Sequence, residues 1–145
     1  MAYRFTLAAV LKLRESIEER DLHLLELTQH EIAHKLRLLE ITQEQEQAEI
    51  ATRERELSAG TYAALVDVVE AVQRRLRERQ REMEKSLAEL QLRRQKQLAT
   101  YESSRRDRQV LSELRDRQRE EYDARAARHE QRVADDMFLA RHRNR

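Results

Sequence analysis

The tetrapeptide Ser58-Ala59-Gly60-Thr61 decides the fold of this chain, because Gly60 is its one glycine and proline is absent from all 145 residues. Proline breaks a helix interior by removing an amide donor and clashing with the preceding turn, and glycine costs about 1 kcal/mol there. A sequence that excludes both, except once, is built to stay helical on either side of that point. Gly60 reaches left-handed dihedrals without a Cβ clash and suits a helix C-terminus, while Thr61 suits the N-cap of a following helix. The expectation is an all-α fold in which two long helices form an antiparallel coiled-coil hairpin. Residues 1–145 are expected to form a single coiled-coil domain. Helix 1 is expected over about residues 4–58, the turn over about 58–61 and helix 2 over about 62–141.

Outward from the turn, a heptad frame runs through Leu11, Leu22, Leu25, Ile32, Leu36, Leu39, Ile50 and Leu57. Steps of three and four are the coiled-coil period. Gln29, Gln43, Glu46 and Arg53 interrupt that frame. Beyond the turn it continues through Leu65, Val69, Val72, Leu76 and Met83, then Leu87, Leu90, Leu98, Tyr101, Leu111 and Leu114. A drift near Ser86 predicts a stutter there. Folding at Gly60 pairs residues whose numbers add to about 120, by symmetry about the turn. Leu57 then faces Leu65, Leu36 meets Met83, and Ile32 meets Leu87 and Leu90. The polar interruptions also match, Arg53 with Asp67 and Glu46 with Arg74. At 1.5 Å per residue the arms measure about 80 Å and about 120 Å, which leaves a C-terminal overhang past about Asp116.

Composition supports the same object. Aromatics make up 4% and hydrophobic residues 39%, too lean for a many-sided core but enough for a narrow seam. Disorder is the competing reading of a chain that is 39% charged, yet disordered segments collect Pro, Gly and Ser, which this one does not. With no cysteine, disulfides and thiolate metal sites are excluded. The apolar stretch Leu7 to Leu11 is far too short to cross a bilayer. Net charge is +1, so no global field draws the chain toward nucleic acid or a membrane. Residues 1–60 carry 8 basic and 12 acidic side chains and residues 61–145 carry 21 and 16, balances of −4 and +5 that favour laying one arm on the other. Seven Glu residues stand four positions before a base, among them Glu31–Lys35, Glu102–Arg106 and Glu121–Arg125. Each such pair adds about 0.2–0.5 kcal/mol to a helix.

Candidate chemistry is sparse. His30-Glu31-Ile32-Ala33-His34 has the H-E-x-x-H spacing of a helical zinc site, with Glu31 as the general base. No third ligand pattern follows it, no cleft can be built around it, and Ile32 belongs to the seam. A weak adventitious metal site is the most it supports. His23, His129 and His142 are expected on the surface. Arg74, Arg75, Arg77, Arg79 and Arg81 suggest nucleic-acid binding, but Glu78, Glu82 and Glu84 intervene and aromatics for base stacking are few. No nucleophile set, phosphate loop or carboxylate pair can be argued. The reading is of a non-enzyme with no catalytic residues, no cofactor and no metal. The overhang holds Tyr122, Val133, Met137, Phe138 and Leu139, and Met137 to Ala140 is a candidate protein contact.

Two stretches carry a further likeness. Phe5-Thr6-Leu7-Ala8-Ala9-Val10-Leu11-Lys12-Leu13-Arg14-Glu15 resembles the opening of the flagellar export protein FliJ family. So does Leu111-Ser112-Glu113-Leu114-Arg115-Asp116-Arg117-Gln118-Arg119-Glu120-Glu121-Tyr122, with Asp135-Asp136 in the closing segment. The resemblance implies a soluble component of the bacterial flagellar type III protein export apparatus, cytoplasmic and peripheral at the inner-membrane export apparatus. Its implied partners are the hexameric flagellar export ATPase, the export gate membrane protein and export chaperones, with no nucleic acid and no membrane insertion. Such a stalk is expected as a monomeric hairpin that binds no nucleotide. The family's partner-binding stripe aligns with Ala64, Val68, Ala71 and Arg75, where Ala64 and Arg75 depart from the bulky types of the family. An alternative is that Val68 merely widens the seam. Tyr122, Met137 and Phe138 complete the candidate contact residues. The alternative functions are a generic coiled-coil scaffold, a virulence-type secretion stalk and, more remotely, an arginine-rich nucleic-acid binder.

Overall fold

The computed structural model describes residues 2–60 and 64–143, the side chain of Ala64 excepted. They form two α-helices, α1 over Ala8–Ser58 with 51 residues and α2 over Ala64–Arg143 with 80, and no strand among them. The end of α1 follows the expected glycine chemistry. Gly60 has φ 92°, and its N–H donates to the Leu57 carbonyl at 3.2 Å, while the Ala59 N–H donates to Arg55 at 3.2 Å. Left-handed glycine closing the last carbonyls is the common helix stop. The expected cap Thr61 lies outside the described residues. Asp67 in the first turn of α2 and Arg141, His142 and Arg143 in its last turn complement the helix dipole. Among the described residues no helix is long and apolar enough to cross a membrane.

Contacts group the chain into two compact units, residues 21–100 and residues 1–20 with 101–145. In each, a stretch of α1 lies antiparallel to a stretch of α2.

In the unit of residues 21–100, α1 turns inward Asp21, Leu25, Thr28, Ile32, Lys35, Leu39, Thr42 and Glu46, all buried or half-buried. The steps are three and four in strict alternation. Leu25 and Leu90 are the buried apolar side chains among the described residues of this unit, each stabilising by about 2 kcal/mol. The other inward line is polar. Thr28 and Thr42 are buried, and each hydroxyl donates to the carbonyl four residues back, Leu24 at 3.2 Å and Leu38 at 2.8 Å. That intrahelical bond lets a hydroxyl enter a seam without a partner opposite. The expected seam residues Gln29, Gln43 and Leu36 are instead exposed, Leu36 by 46%.

The register also differs from the expected one. Lys35 Nζ donates to Ser86 Oγ, Gln80 Nε2 donates to the Glu46 carboxylate, and Arg93 lies 3.9 Å from Glu31. These partners have numbers adding to 121, 126 and 124 in turn. Glu46 therefore meets Gln80 and not Arg74, and Arg53 lines a small cavity with Leu57, Leu65 and Val69 in place of an ion pair with Asp67. The expected start of helix 2 near residue 62 lies outside the described residues. The half-buried positions Val69, Gln73, Leu76, Gln80, Met83 and Leu87 and the buried Leu90 keep the alternating step, so no stutter occurs at Ser86. The phase change falls in α1, where Thr42, Glu46 and Ile50 are two successive steps of four.

The other unit begins outside the helix. Residues 2–5 precede α1 without helical structure, where helix was expected from about residue 4. Phe5 is buried, its carbonyl accepts the Ala8 N–H at 3.3 Å, and Leu11 is buried behind it. Tyr3 Oη donates to the Arg115 carbonyl at 3.1 Å, and the Tyr3 ring lies 5.7 Å from that of Tyr122. Pairing thus reaches beyond Asp116, the expected limit. Extended residues advance about 3.3 Å each against 1.5 Å in a helix, so a short extended lead covers more of α2.

Candidate functional site

In the unit of residues 21–100, Val68, Ala71 and Arg75 line one open trough on α2 together with Asp67 and Val72. Their spacing of three and four puts them on one face. Val68 is 55% exposed, whereas Val69, Val72 and Leu76 are half-buried in the seam. Val68 therefore belongs to a surface beside the seam and does not widen it. The side chain of Ala64, the fourth residue of the expected stripe, lies outside the described residues. An apolar floor of Val68 and Ala71 between the carboxylate of Asp67 and the guanidinium of Arg75 can receive an amphipathic segment.

The unit of residues 1–20 and 101–145 holds the other candidates. Tyr122 is half-buried against Tyr3, which makes it a clamp on the N-terminal lead as well as a surface residue. From residue 127 to residue 143 every position is exposed. Met137 and Phe138 are 60% and 62% exposed, and the Phe138 ring stacks on His142 at 4.3 Å and 33°. Closer to the N-terminal lead, Arg108 grips Glu18 with two hydrogen bonds, Nε to Oε2 at 2.6 Å and Nη2 to Oε1 at 3.3 Å. That bonding holds the Arg108 guanidinium above its ordinary range, against partial desolvation, with added attraction from Glu15. Arg14 and Asp107 form a looser pair at 3.1 Å, both more than a third exposed.

His23, His129 and His142 are exposed, as expected, and so are His30 and His34. Among the described residues no group of three or more His, Asp or Glu side chains is placed to hold a metal ion. Arg74, Arg75, Arg77, Arg79 and Arg81 are all exposed, with Glu78, Glu82 and Glu84 exposed among them. Of the surface pairs expected within helices, Glu102–Arg106 forms at 3.8 Å and Glu121–Arg125 at 3.1 Å, while Glu31 and Lys35 reach across to α2.

The sequence reading missed the polar half of the seam. Its signal was present in the seven-residue spacing of Asp21, Thr28, Lys35 and Thr42, each three residues after or four before an apolar inward position. The side-chain oxygen of Gln97 is buried there without a hydrogen-bond partner. Compared with known proteins, the chain matches no family model, no curated protein and no solved structure.

Proposed function

We propose that the chain is the coiled-coil stalk of a bacterial flagellar type III export apparatus, a non-enzyme that works by contact. The end of α2 meets the hexameric export ATPase, and the face of Val68, Ala71 and Arg75 meets the export gate or the export chaperones it escorts. The protein works in the cytoplasm, at the periphery of the inner-membrane export machinery. Support comes from the resemblance of the stretches at residues 5–15 and 111–122 to the FliJ family. The observation that carries it is the bare end of α2, where residues 127–143 are all exposed and present Met137 and Phe138. An isolated helix end is marginal in water, and a hydrophobic tip on it is suited to packing inside another protein.

The test is a pulldown from the native cell combined with ATPase assays on the cognate enzyme. The stalk reading expects the export ATPase to copurify and its rate or ring assembly to rise with added protein. A protein that leaves both unchanged is not this stalk. Copurification of a virulence-system ATPase instead would assign the same stalk role to the related secretion machine.

A further inference from the structure

Besides its inward face, α1 carries a second apolar line. Leu24, Leu27, Leu38 and Ile41 are between 42% and 46% exposed. Each stands one residue before an inward position, Leu25, Thr28, Leu39 or Thr42, so the line is turned by about 100° around the helix axis. Glu31 and His34, both exposed, fill the gap at the correct steps. Leu24, Leu27, Glu31, His34, Leu38 and Ile41 thus form an unbroken run of alternating three and four. Single exposed leucines need no explanation, but six consecutive coiled-coil positions do.

The run reads the same from either end: two apolar residues, two ionisable ones, two apolar ones. An antiparallel second copy that sets Leu24 against the partner's Ile41 also sets Leu27 against the partner's Leu38. Glu31 then meets the partner's His34, an acceptor carboxylate facing an imidazole N–H donor, and the two-fold axis repeats every contact. A parallel copy would set Glu31 on the partner's Glu31, which like-charge repulsion disfavours. Glu31 keeps an oxygen for this contact, since its pairing with Arg93 is made through Oε2 at 3.9 Å. Isologous interfaces require this kind of self-complementarity, and a foreign partner has no need of it.

We propose that this line on α1 is the docking surface for a second copy of the chain, antiparallel and in the register that sets Leu27 on the partner's Leu38. The inference stands on the pattern of α1 and does not rest on the export reading. It replaces the monomeric state expected from the sequence with a concentration-dependent dimer. Six side chains from each copy make a small interface of the transient class.

The test uses sedimentation equilibrium and thiol cross-linking on the full chain, which has no cysteine of its own. The native protein is expected to rise from 17.4 kDa toward twice that mass across a series up to about 200 μM. Leu27→Glu is expected to hold the monomer mass with unchanged helicity, because the position is exposed. A mixture of Leu27→Cys and Leu38→Cys chains should oxidise to a covalent dimer several-fold faster than either variant alone. A native chain that stays monomeric overturns the proposal and gives the line to a different protein. Self-cross-linking of Leu27→Cys as fast as the mixture overturns it too, by pointing to a parallel pair.

Discussion

Arg108 holds Glu18 through Nε and Nη2 of its guanidinium, at 2.6 Å and 3.3 Å, and the pair is largely shielded from solvent, with side-chain exposures of 28% and 15%. Two-point bonding fixes the rotation of α2 against α1 as well as their separation, which a lysine could not do. A double-mutant cycle with Glu18→Gln and Arg108→Gln is expected to give a coupling of about 1–2 kcal/mol in urea unfolding. The same cycle at Arg14 and Asp107 should give less than about 1 kcal/mol, since solvent screens that pair. Arg108 is held above its ordinary range, so its contribution is complete at every pH below the guanidinium range and is lost only as pH rises through it. Between neutral and mildly alkaline pH the coupling should stay constant.

Leu25 and Leu36 separate the observed inward face from the one expected from spacing alone. Leu25→Ala should destabilise by about 2–3 kcal/mol, by lost burial and the cavity left behind. Leu36→Ala should stay within about 0.5 kcal/mol, as surface substitutions do. Equal losses at the two sites would contradict the inward line described here.

Gln97 has a buried side-chain oxygen without a hydrogen-bond donor. An unsatisfied buried acceptor costs about 1–3 kcal/mol, and an apolar side chain of similar length removes that cost. Gln97→Leu is therefore expected to stabilise the protein by about 1 kcal/mol, read as a raised denaturation midpoint with unchanged slope.

Tyr3 and Tyr122 act together. Tyr3→Ala removes both the ring contact and the bond to the Arg115 carbonyl, which should loosen residues 2–7. Chymotryptic cleavage after Phe5, a buried residue in the native chain, is expected to accelerate several-fold. Tyr122→Ala should produce part of the same effect, and the double variant should add little to Tyr3→Ala.

Phe138→Ala tests the proposed stalk contact. The position is 62% exposed, so thermal stability should not change, whereas stimulation of the export ATPase should fall several-fold if this end enters the ring. Val68→Glu should leave that stimulation intact and weaken binding of the gate or chaperones instead.

Much of this architecture can be read from the residues. The near absence of proline and glycine gives two helices, and Gly60 gives the stop, because backbone chemistry at those positions allows few alternatives. The identity of the inward face is harder. Apolar residues of α1 fall on two lines at once, Leu25, Ile32 and Leu39 inward and Leu24, Leu27, Leu38 and Ile41 outward. Hydrophobic spacing cannot rank such lines, and Leu22 and Leu36 on the opposite flank drew it to Gln29 and Gln43 in place of Thr28 and Thr42, one residue away. The register is a separate matter, since exact symmetry about Gly60 asks for partners adding to 120, whereas Lys35 with Ser86, Glu46 with Gln80 and Glu31 with Arg93 add to 121, 126 and 124. At the candidate site, the trough of Val68, Ala71 and Arg75 was reached by resemblance; its openness to solvent is a property of the folded surface that spacing does not encode.

Thr28 and Thr42 hydrogen-bond to their own helix, so neither takes hold of the helix beside it. Within residues 21–100 Lys35 on Ser86 and Glu46 on Gln80, with Arg93 loosely on Glu31, peg the lengthwise alignment. Under a pull along the helix axis, those pegs would give way first. Between Thr42 and Ile50 the two successive steps of four give a slipped seam no equivalent place one heptad along, so the pegs and that phase change together set where the two stretches rest side by side.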